Sequence, residues 1–450
     1  MQLSSAPLPL RTDEQAMAQV AELIERGRRA QRAINDYSQA QADDLAVACG
    51  WAIMEPGRNR QLAEIAVRDT GLGNVDDKIT KNHRKTLGLL RDLQKAKTVG
   101  VIAEDPERGL VEFARPVGVV AAITPSTNPG ATPANKIINA LKCRNAVIVA
   151  PSPKGVGTCQ MLLGFIHDEL VRIGLSRELA EGLVQMLPSP VSKALTHALM
   201  MQADLVVATG SQANVRAAYL SGTPAFGVGA GNVASIVDAT ADLTAAAERI
   251  MLSKTFDNAT SCSSENSVVV DAAVADRLIQ EFLRLDGHLL EREEASRLQS
   301  VMWPEGRLSS AVTGKSAAEI AREAGLDRPE LARAKALIVE EEGFGPDHPF
   351  SGEKLSPVLT LYRSRDREHA VRIVDAIYAY QGAGHSVSLH IDPTGADAHA
   401  RYLAEALPVA RVIVNQPHTV ATGGSFENGL PFSLSMGCGT WGGNNFSSNM

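Results

Sequence analysis

The rhythm of apolar and polar positions changes along the chain. Residues 14–55 and 60–96 are polar-rich with apolar side chains at helical spacing, as at Met17, Val20, Leu23 and Ile24; this predicts surface helices. At 98–115 two short apolar runs flank EDPERG, which predicts a hairpin. Alternation then begins, with strands expected at 119–123, 146–150, 183–187 and 205–208 and helices at 132–141, 155–173, 192–201 and 212–220. Purely apolar strands separated by helices indicate a parallel sheet covered on both faces. A helix at 243–252 bridges to a second series. Its strands are expected at 267–270, 336–339, 357–361, 387–391 and 410–414, and its helices at 273–285, 289–300, 317–324, 368–378 and 396–406. From 415 onward the composition turns to Gly, Ser and Asn.

Composition bounds this picture. At about 150 residues per domain, 450 residues make two or three domains. Hydrophobic residues at 44% and charged ones at 21% exclude a disordered or collagen-like chain. The net charge of −7 provides no basic field for phosphodiesters, so nucleic acid is not an expected partner. No apolar run approaches the roughly 18 residues that span a bilayer, and the start has no basic n-region or apolar core. The five cysteines (Cys49, Cys143, Cys159, Cys262 and Cys438) form no C-x-x-C pair. That excludes a zinc ribbon and makes a disulfide framework improbable, so a reducing, cytoplasmic location and no metal are expected.

The usual phosphate loops fail. G-x-G-x-x-G occurs at 437–442, without a strand before it or a helix after it. Gly314-Lys315-Ser316 has Ser309 where a P-loop needs Gly. Neither H-E-x-x-H nor G-x-S-x-G is present. Cys262 differs from the other cysteines. Small polar residues flank it in KTFDNATSCSSEN, whereas a packing cysteine such as Cys159 has apolar neighbours. A polar loop supplies N–H donors and water access, which favour thiolate. The residues alone leave two readings open, a nucleophile and a loop cysteine.

Several segments together resemble the aldehyde dehydrogenase superfamily, and within it the CoA-acylating branch. They are GVVAAITPSTNP (118–129), ALKCRNAVIVAPSP (140–153), ATGSQANVRAA (208–218), PAFGVGAGN (224–232), KTFDNATSCSSENSVVV (254–270), EKLSP (353–357) and LSMGCGTWGGN (434–444). They run in family order over most of the chain. The resemblance implies an α/β fold of two related doubly wound domains with parallel sheets, plus a small oligomerisation flap. It implies a nucleotide-binding domain over 1–237 with the 98–115 hairpin as flap. A catalytic domain follows over 238–420, and the 421–450 segment returns to the cofactor domain or oligomer interface. A homodimer or homotetramer is expected.

The same resemblance implies the chemistry. Cys262 is the nucleophile, and its thioester passes to coenzyme A. The oxyanion donors are the Cys262 N–H and the loop of Thr127 and Asn128, with Asn128 favoured for its amide; the alternative is that Asn128 caps the following helix. Thr124, Pro125 and Ser126, with Ala150, Pro151, Ser152 and Lys154, lie by the nucleotide. Gly210 and Ser211 hold its pyrophosphate at a helix N-terminus. Gly227 also belongs to the cofactor loops, Glu353 holds the nicotinamide ribose, and Leu355 packs near the nicotinamide. His418 lies where relatives line the aldehyde tunnel; a plain loop histidine is the alternative. Cys438 and Cys143 are expected to be structural.

The chain departs from the family's pattern at informative places. Hydrolytic relatives carry a water-activating Glu at the position of Gly227 or Val228, yet no acid lies within 222–232. An enzyme that hands its acyl group to a thiol does not need that base. Ala150 and Pro153 stand where many relatives have Lys and Glu. That Glu repels a 2′-phosphate, so NAD and NADP are both open. The start lacks the extension that targets some relatives to microcompartments, and the chain stops at Met450 where relatives usually run on. The tail resembles acylating members acting on sulfoacetaldehyde more than those acting on acetaldehyde or propionaldehyde. A hydrolytic dehydrogenase, an acyl-phosphate reductase and a non-catalytic homologue are the alternatives.

Overall fold

The computed structural model describes residues 13–229, 231–383 and 385–435; Cys438 and the rest of the tail motif lie outside them. The elements in chain order begin with four helices, α1 (Glu14–Ala33), α2 (Gln39–Met54), α3 (Pro56–Thr70) and α4 (Val75–Leu93). The antiparallel ribbon β1 (Gly100–Asp105) and β2 (Leu110–Ala114) follows. Then come β3 (Val119–Ile123), α5 (Ala131–Lys142), β4 (Ala146–Ala150), α6 (Val156–Arg172), α7 (Arg177–Leu183), β5 (Val184–Met186), α8 (Lys193–Gln202), β6 (Leu205–Thr209), α9 (Gln212–Leu220) and β7 (Ala225–Val228). The second series is β8 (Val233–Val237), α10 (Leu243–Thr255), β9 (Glu265–Asp271), α11 (Ala275–Arg284), β10 (Gly287–Leu289), α12 (Arg292–Met302), α13 (Ala317–Glu323), β11 (Ala336–Glu340), β12 (Val358–Ser364), α14 (Arg367–Gln381), β13 (Val387–His390), α15 (Pro393–Ala406), β14 (Val412–Val414) and α16 (His418–Ala421). Among the described residues no helix is long and apolar enough to cross a membrane.

Two compact units result. Described residues 13–65 and 85–229 form the first, and 66–84 and 231–435 the second. The first holds a parallel sheet in the order β5-β4-β3-β6-β7. The chain leaves β3 toward β4 and β5, then returns to β6 on its other side, so a switch point lies between β3 and β6. Every residue of β3, β4 and β6 is buried, as expected of strands covered on both faces.

The second unit holds a parallel sheet in the order β10-β11-β12-β9-β8-β13-β14. Its two faces pack separate cores. Val268 and Val270 of β9 join Leu278 and Phe282 on one side, while Val269 joins Val374 and Ile377 on the other. The period of two along β9 thus feeds both cores.

Three departures from the sequence pattern have physical causes. The stretch 14–55 breaks into two helices because Ser38 starts a new one with a capping box to Gln41. In α2 the buried residues Ala42, Leu45, Ala46, Cys49 and Ile53 fall on one face at helical spacing, while Val47 and Trp51 stay exposed on the other. The expected helix at 289–300 begins later, at α12, because Gly287–Leu289 pairs with β11. The strand β8, within the expected first domain of 1–237, sits between β9 and β13 in the second sheet.

Candidate active site

Four adjacent strands, β12, β9, β8 and β13, all run parallel, so the segments leading into them converge at one sheet edge. Glu353, Cys262, Gly231 and His385 lie on those four segments. The result is a compact constellation in which Cys262 meets His385 across 123 positions and Gly231 meets Glu353 across 122. Cys262 is half-buried, and its Sγ lies 2.9 Å from Nε2 of the fully buried His385. An imidazole at hydrogen-bond distance from a thiol is the arrangement of an activated cysteine nucleophile.

The turn before Cys262 is held under strain. Asp257, Asn258 and Ala259 have φ of 52°, 50° and 57°. The left-handed region costs about 1–2 kcal/mol per L-residue, so an external hold is required. Asp257 supplies it. Its Oδ2 accepts from Lys81 Nζ at 2.6 Å, Lys78 Nζ at 3.1 Å and Thr260 Oγ1 at 2.6 Å, and its Oδ1 accepts from Asn74 N–H at 3.1 Å. Burial pushes the Asp257 carboxyl up, but Lys81 and Lys78 outweigh it and hold it below its ordinary range. Burial lowers Lys78 to about 8. A side chain at Gly73 would place Cβ 1.9 Å from Asp257 Oδ1, so glycine is required there.

Gly231 abuts Cys262 directly. A Cβ there would lie 1.8 Å from the Cys262 carbonyl oxygen. The Gly231 N–H donates to Glu353 Oε1 at 3.0 Å, and its carbonyl accepts from Asn266 Nδ2 at 2.9 Å. Asn266 Oδ1 in turn accepts from the Lys354 N–H. Beneath lies a buried charged group. Burial pushes Glu353 and Glu265 each up to about 7 and lowers Lys254 to about 7. Lys254 Nζ has no hydrogen-bond partner among the described residues. Lys354 Nζ donates to the carbonyls of Phe350 (2.5 Å) and Gly352 (3.0 Å), and burial lowers it well below its usual range.

In the first unit a cavity of about 370 Å³ lies at the carboxyl ends of β3, β4 and β6. Thr124, Pro125, Ser126, Ala150, Pro151, Ser152, Gly210 and Ser211 line it. Ser211 caps α9 by accepting from the Asn214 N–H, so a helix N-terminus borders the cavity. The hydroxyls of Thr124 and Ser152, two of the lining residues, are buried and have no partner among the described residues. A polar ligand that supplies those missing partners fits this site.

The other expected residues fall as follows. Lys154 lies in the one-turn helix Pro153–Gly155, exposed and outside the cavity lining. Gly227 is not in the lining either; it packs on α9, where a Cβ would meet Val215 at 2.5 Å and Tyr219 at 2.9 Å. Thr127 and Asn128 are half-buried in the loop before α5, and the helix N-cap is Gly130, not Asn128. Leu355 is half-buried with φ 43°, and its carbonyl accepts from the Gly314 N–H. His418 is fully buried rather than on a tunnel wall. Burial pushes the thiols of Cys159 up to about 12 and Cys143 to about 11, and raises Cys49 further, so all three stay protonated. His385 went unread in the sequence. The only signal there was a histidine within GAGHS directly before an apolar strand. Among the described residues no group of three or more His, Cys, Asp or Glu could hold a metal ion.

Comparison with known proteins agrees in family and fold. The profile of the aldehyde dehydrogenase family matches residues 10–286. Over 448 residues the chain is 63% identical to sulfoacetaldehyde dehydrogenase (acylating) of Cupriavidus necator, covering all of this chain and 90% of that protein. An acetylating aldehyde dehydrogenase from Geobacillus thermoglucosidasius superposes with a TM-score of 0.89 at 33% identity, over 97% of this chain and 94% of that one. A propionaldehyde dehydrogenase of Rhodopseudomonas palustris, solved with bound CoA and an acylated cysteine, superposes with a TM-score of 0.82 at 25% identity, over 95% and 94%.

Proposed function

We infer the activity from one premise: this chain belongs to the aldehyde dehydrogenase family. It is a CoA-acylating member that converts an aldehyde, NAD(P)+ and coenzyme A into acyl-CoA and NAD(P)H. Its substrate is sulfoacetaldehyde, a reading supported by the full-length identity of 63% to the Cupriavidus necator enzyme. The observation that carries the acylating chemistry is the Cys262–His385 pair at 2.9 Å, combined with the lack of any acid within 222–232.

His385 takes the Cys262 proton, and the thiolate adds to the aldehyde carbon. The Cys262 N–H meets the new oxyanion, and on the family resemblance the Asn128 amide or Thr127 gives the second donor. The nucleotide, when bound, supplies the hydride acceptor that turns the thiohemiacetal into a thioester of Cys262. His385 releases its proton to solvent and then accepts the proton of the incoming CoA thiol. The CoA sulfur attacks the thioester, and the Cys262 thiolate leaves. No carboxylate stands in the 222–232 loop to activate water, so the thioester lasts until CoA arrives.

The cavity at 124–126, 150–152 and 210–211 holds the nucleotide, and Glu353 takes the nicotinamide ribose. None of the cavity's lining residues is acidic, and Lys193 and His197 are among them. A wall without carboxylates tolerates a 2′-phosphate, so NADP serves as well as NAD. Val111 and Phe113, two positions apart on β2 and so on one face of the ribbon, are exposed at 52% and 61%. This apolar face pairs with another copy of the chain, giving a dimer or tetramer.

Initial rates over a panel of aldehydes, each with and without CoA and with NAD or NADP, test the reading. Sulfoacetaldehyde with CoA should give the highest kcat/KM. An equal rate with acetaldehyde overturns the substrate, and full turnover without CoA overturns the acylating chemistry.

A further inference from the structure

We propose that His418 is a positioning residue, a hydrogen-bonded strut that sets the approach of His385 to Cys262. The proposal rests on the reading of Cys262 as the nucleophile. His418 Nδ1 lies 2.7 Å from the carbonyl oxygen of Ser263, the residue after Cys262. Its Nε2 lies 2.8 Å from Oγ of Ser386, the residue after His385. One side chain therefore joins the immediate chain neighbours of both members of the pair.

The chemistry of the two partners fixes the tautomer. A carbonyl only accepts, so Nδ1 carries the proton, and Nε2 is left to accept from the Ser386 hydroxyl. Thr422 Oγ1, one helical turn on, lies 3.0 Å from Nδ1 and 3.2 Å from Nε2 and closes the group. The titratable and charged groups facing the ring are His385, His390, Arg411 and, through the His418 backbone, Glu265. Burial lowers His418 to about 4, so the ring is neutral and bonded at both nitrogens under ordinary conditions.

The base of the strut is also held. Thr419 N–H donates to Ser253 Oγ at 2.8 Å, and Ser253 Oγ donates to Glu265 Oε2 at 2.5 Å. Thus α16 is tied to α10 and to the start of β9, the two elements that flank the Cys262 turn. A ring with both nitrogens engaged is not free to meet substrate. Its effect is on the geometry of the pair, where an error near 1 Å costs about 100-fold in rate.

The test uses the full chain and four variants. His418→Phe keeps ring volume without hydrogen bonds. His418→Asn keeps a donor toward Ser263 but gives Ser386 no acceptor. Ser386→Ala removes the far end, and Cys262→Ala is the control. Iodoacetamide labelling of Cys262, located by mass spectrometry, is followed against pH alongside kcat and aldehyde KM. In His418→Phe, the midpoint of the labelling profile should rise by about one pH unit, because a thiol separated from its imidazole ionises later. Its kcat should fall about 10–100-fold while KM changes less than about threefold. His418→Asn and Ser386→Ala should fall between it and the parent. A folded His418→Phe with an unchanged profile and kcat overturns the strut. If His418→Phe does not fold, Ser386→Ala decides, and an unchanged profile there overturns it. Persistent CoA-dependent activity in Cys262→Ala instead sinks the reading of the nucleophile, and the strut with it.

Discussion

Replacing Gly231 by Ala tests the architecture of the site with a single methyl group. The new Cβ would start 1.8 Å from the Cys262 carbonyl oxygen, 2.7 Å from its carbonyl carbon and 3.1 Å from its Cβ. Contacts below 3.0 Å do not occur at real Cβ atoms, so the two backbones must separate by at least about 1.2 Å. Neither side gives way freely. Gly231 is tied to Glu353 and Asn266, and the turn before Cys262 is pinned through Asp257. Overpacking of this kind costs about 1–3 kcal/mol of stability. A displacement of about 1 Å at a nucleophile costs about 100-fold in rate. Gly231→Ala should therefore stay folded, with kcat for CoA-dependent NAD(P)H formation lowered about 100-fold and the unfolding midpoint lowered by a few degrees. Coupled spectrophotometric rates and thermal denaturation measure both. Parent-level kcat in a folded Gly231→Ala protein would refute the steric argument, because the methyl group would then have found room without moving Cys262.

Three further outcomes follow from the same geometry. Asp257→Asn leaves Lys78 and Lys81 buried opposite a neutral amide, so chemical denaturation should show a loss of about 3–5 kcal/mol, with a matching loss of Cys262 labelling; a change under 1 kcal/mol contradicts the role given to the ion pairs. Acid stability should report His418. Its value is lowered from 6.5 to about 4 on folding, so the unfolded chain binds this proton first. The contribution is fully present above about pH 6.5 and drains as pH falls toward 4, by roughly 3 kcal/mol. Unfolding at pH 7 and pH 4.5 should show a smaller difference in His418→Asn than in the parent, and equal differences speak against it. Phe113→Glu on the exposed ribbon should shift the assembly toward monomer in sedimentation velocity, whereas an unchanged distribution excludes the ribbon as an interface.

What could be read from the chain follows the range of the forces involved. The strands β3, β4 and β6 were legible because burial on both faces leaves an unbroken apolar run. Cys262 stood out because its neighbours are wrong for a packing cysteine. Helix α2 is likewise a surface helix, with Ala42, Leu45, Ala46, Cys49 and Ile53 inward and Val47 and Trp51 exposed. The partners of Cys262 were out of reach. His385 lies 123 positions away, and the lysines that hold Asp257 lie 176 and 179 away. Such pairs arise from strand order, and strand order is not a local property. For His418 the family resemblance suggests a tunnel wall, with a plain loop histidine as the alternative, and resemblance does not reveal that the ring is fully buried.

The lysine clasp on Asp257 also has a meaning in time. Lys81 leaves the ribosome 176 residues before Asp257. At about 5–20 residues per second, roughly 9–35 s pass in which two lysines wait in water for their counter-charge. The strained turn has no support of its own until that meeting. The turn that carries Cys262 is thus assembled late in biosynthesis, after the first sheet's strands have all been made. A chain cut before residue 257 carries the cavity of the first unit yet neither Cys262 nor His385, and a fragment that begins after residue 84 carries Cys262 on a turn whose buried carboxylate has lost both lysines.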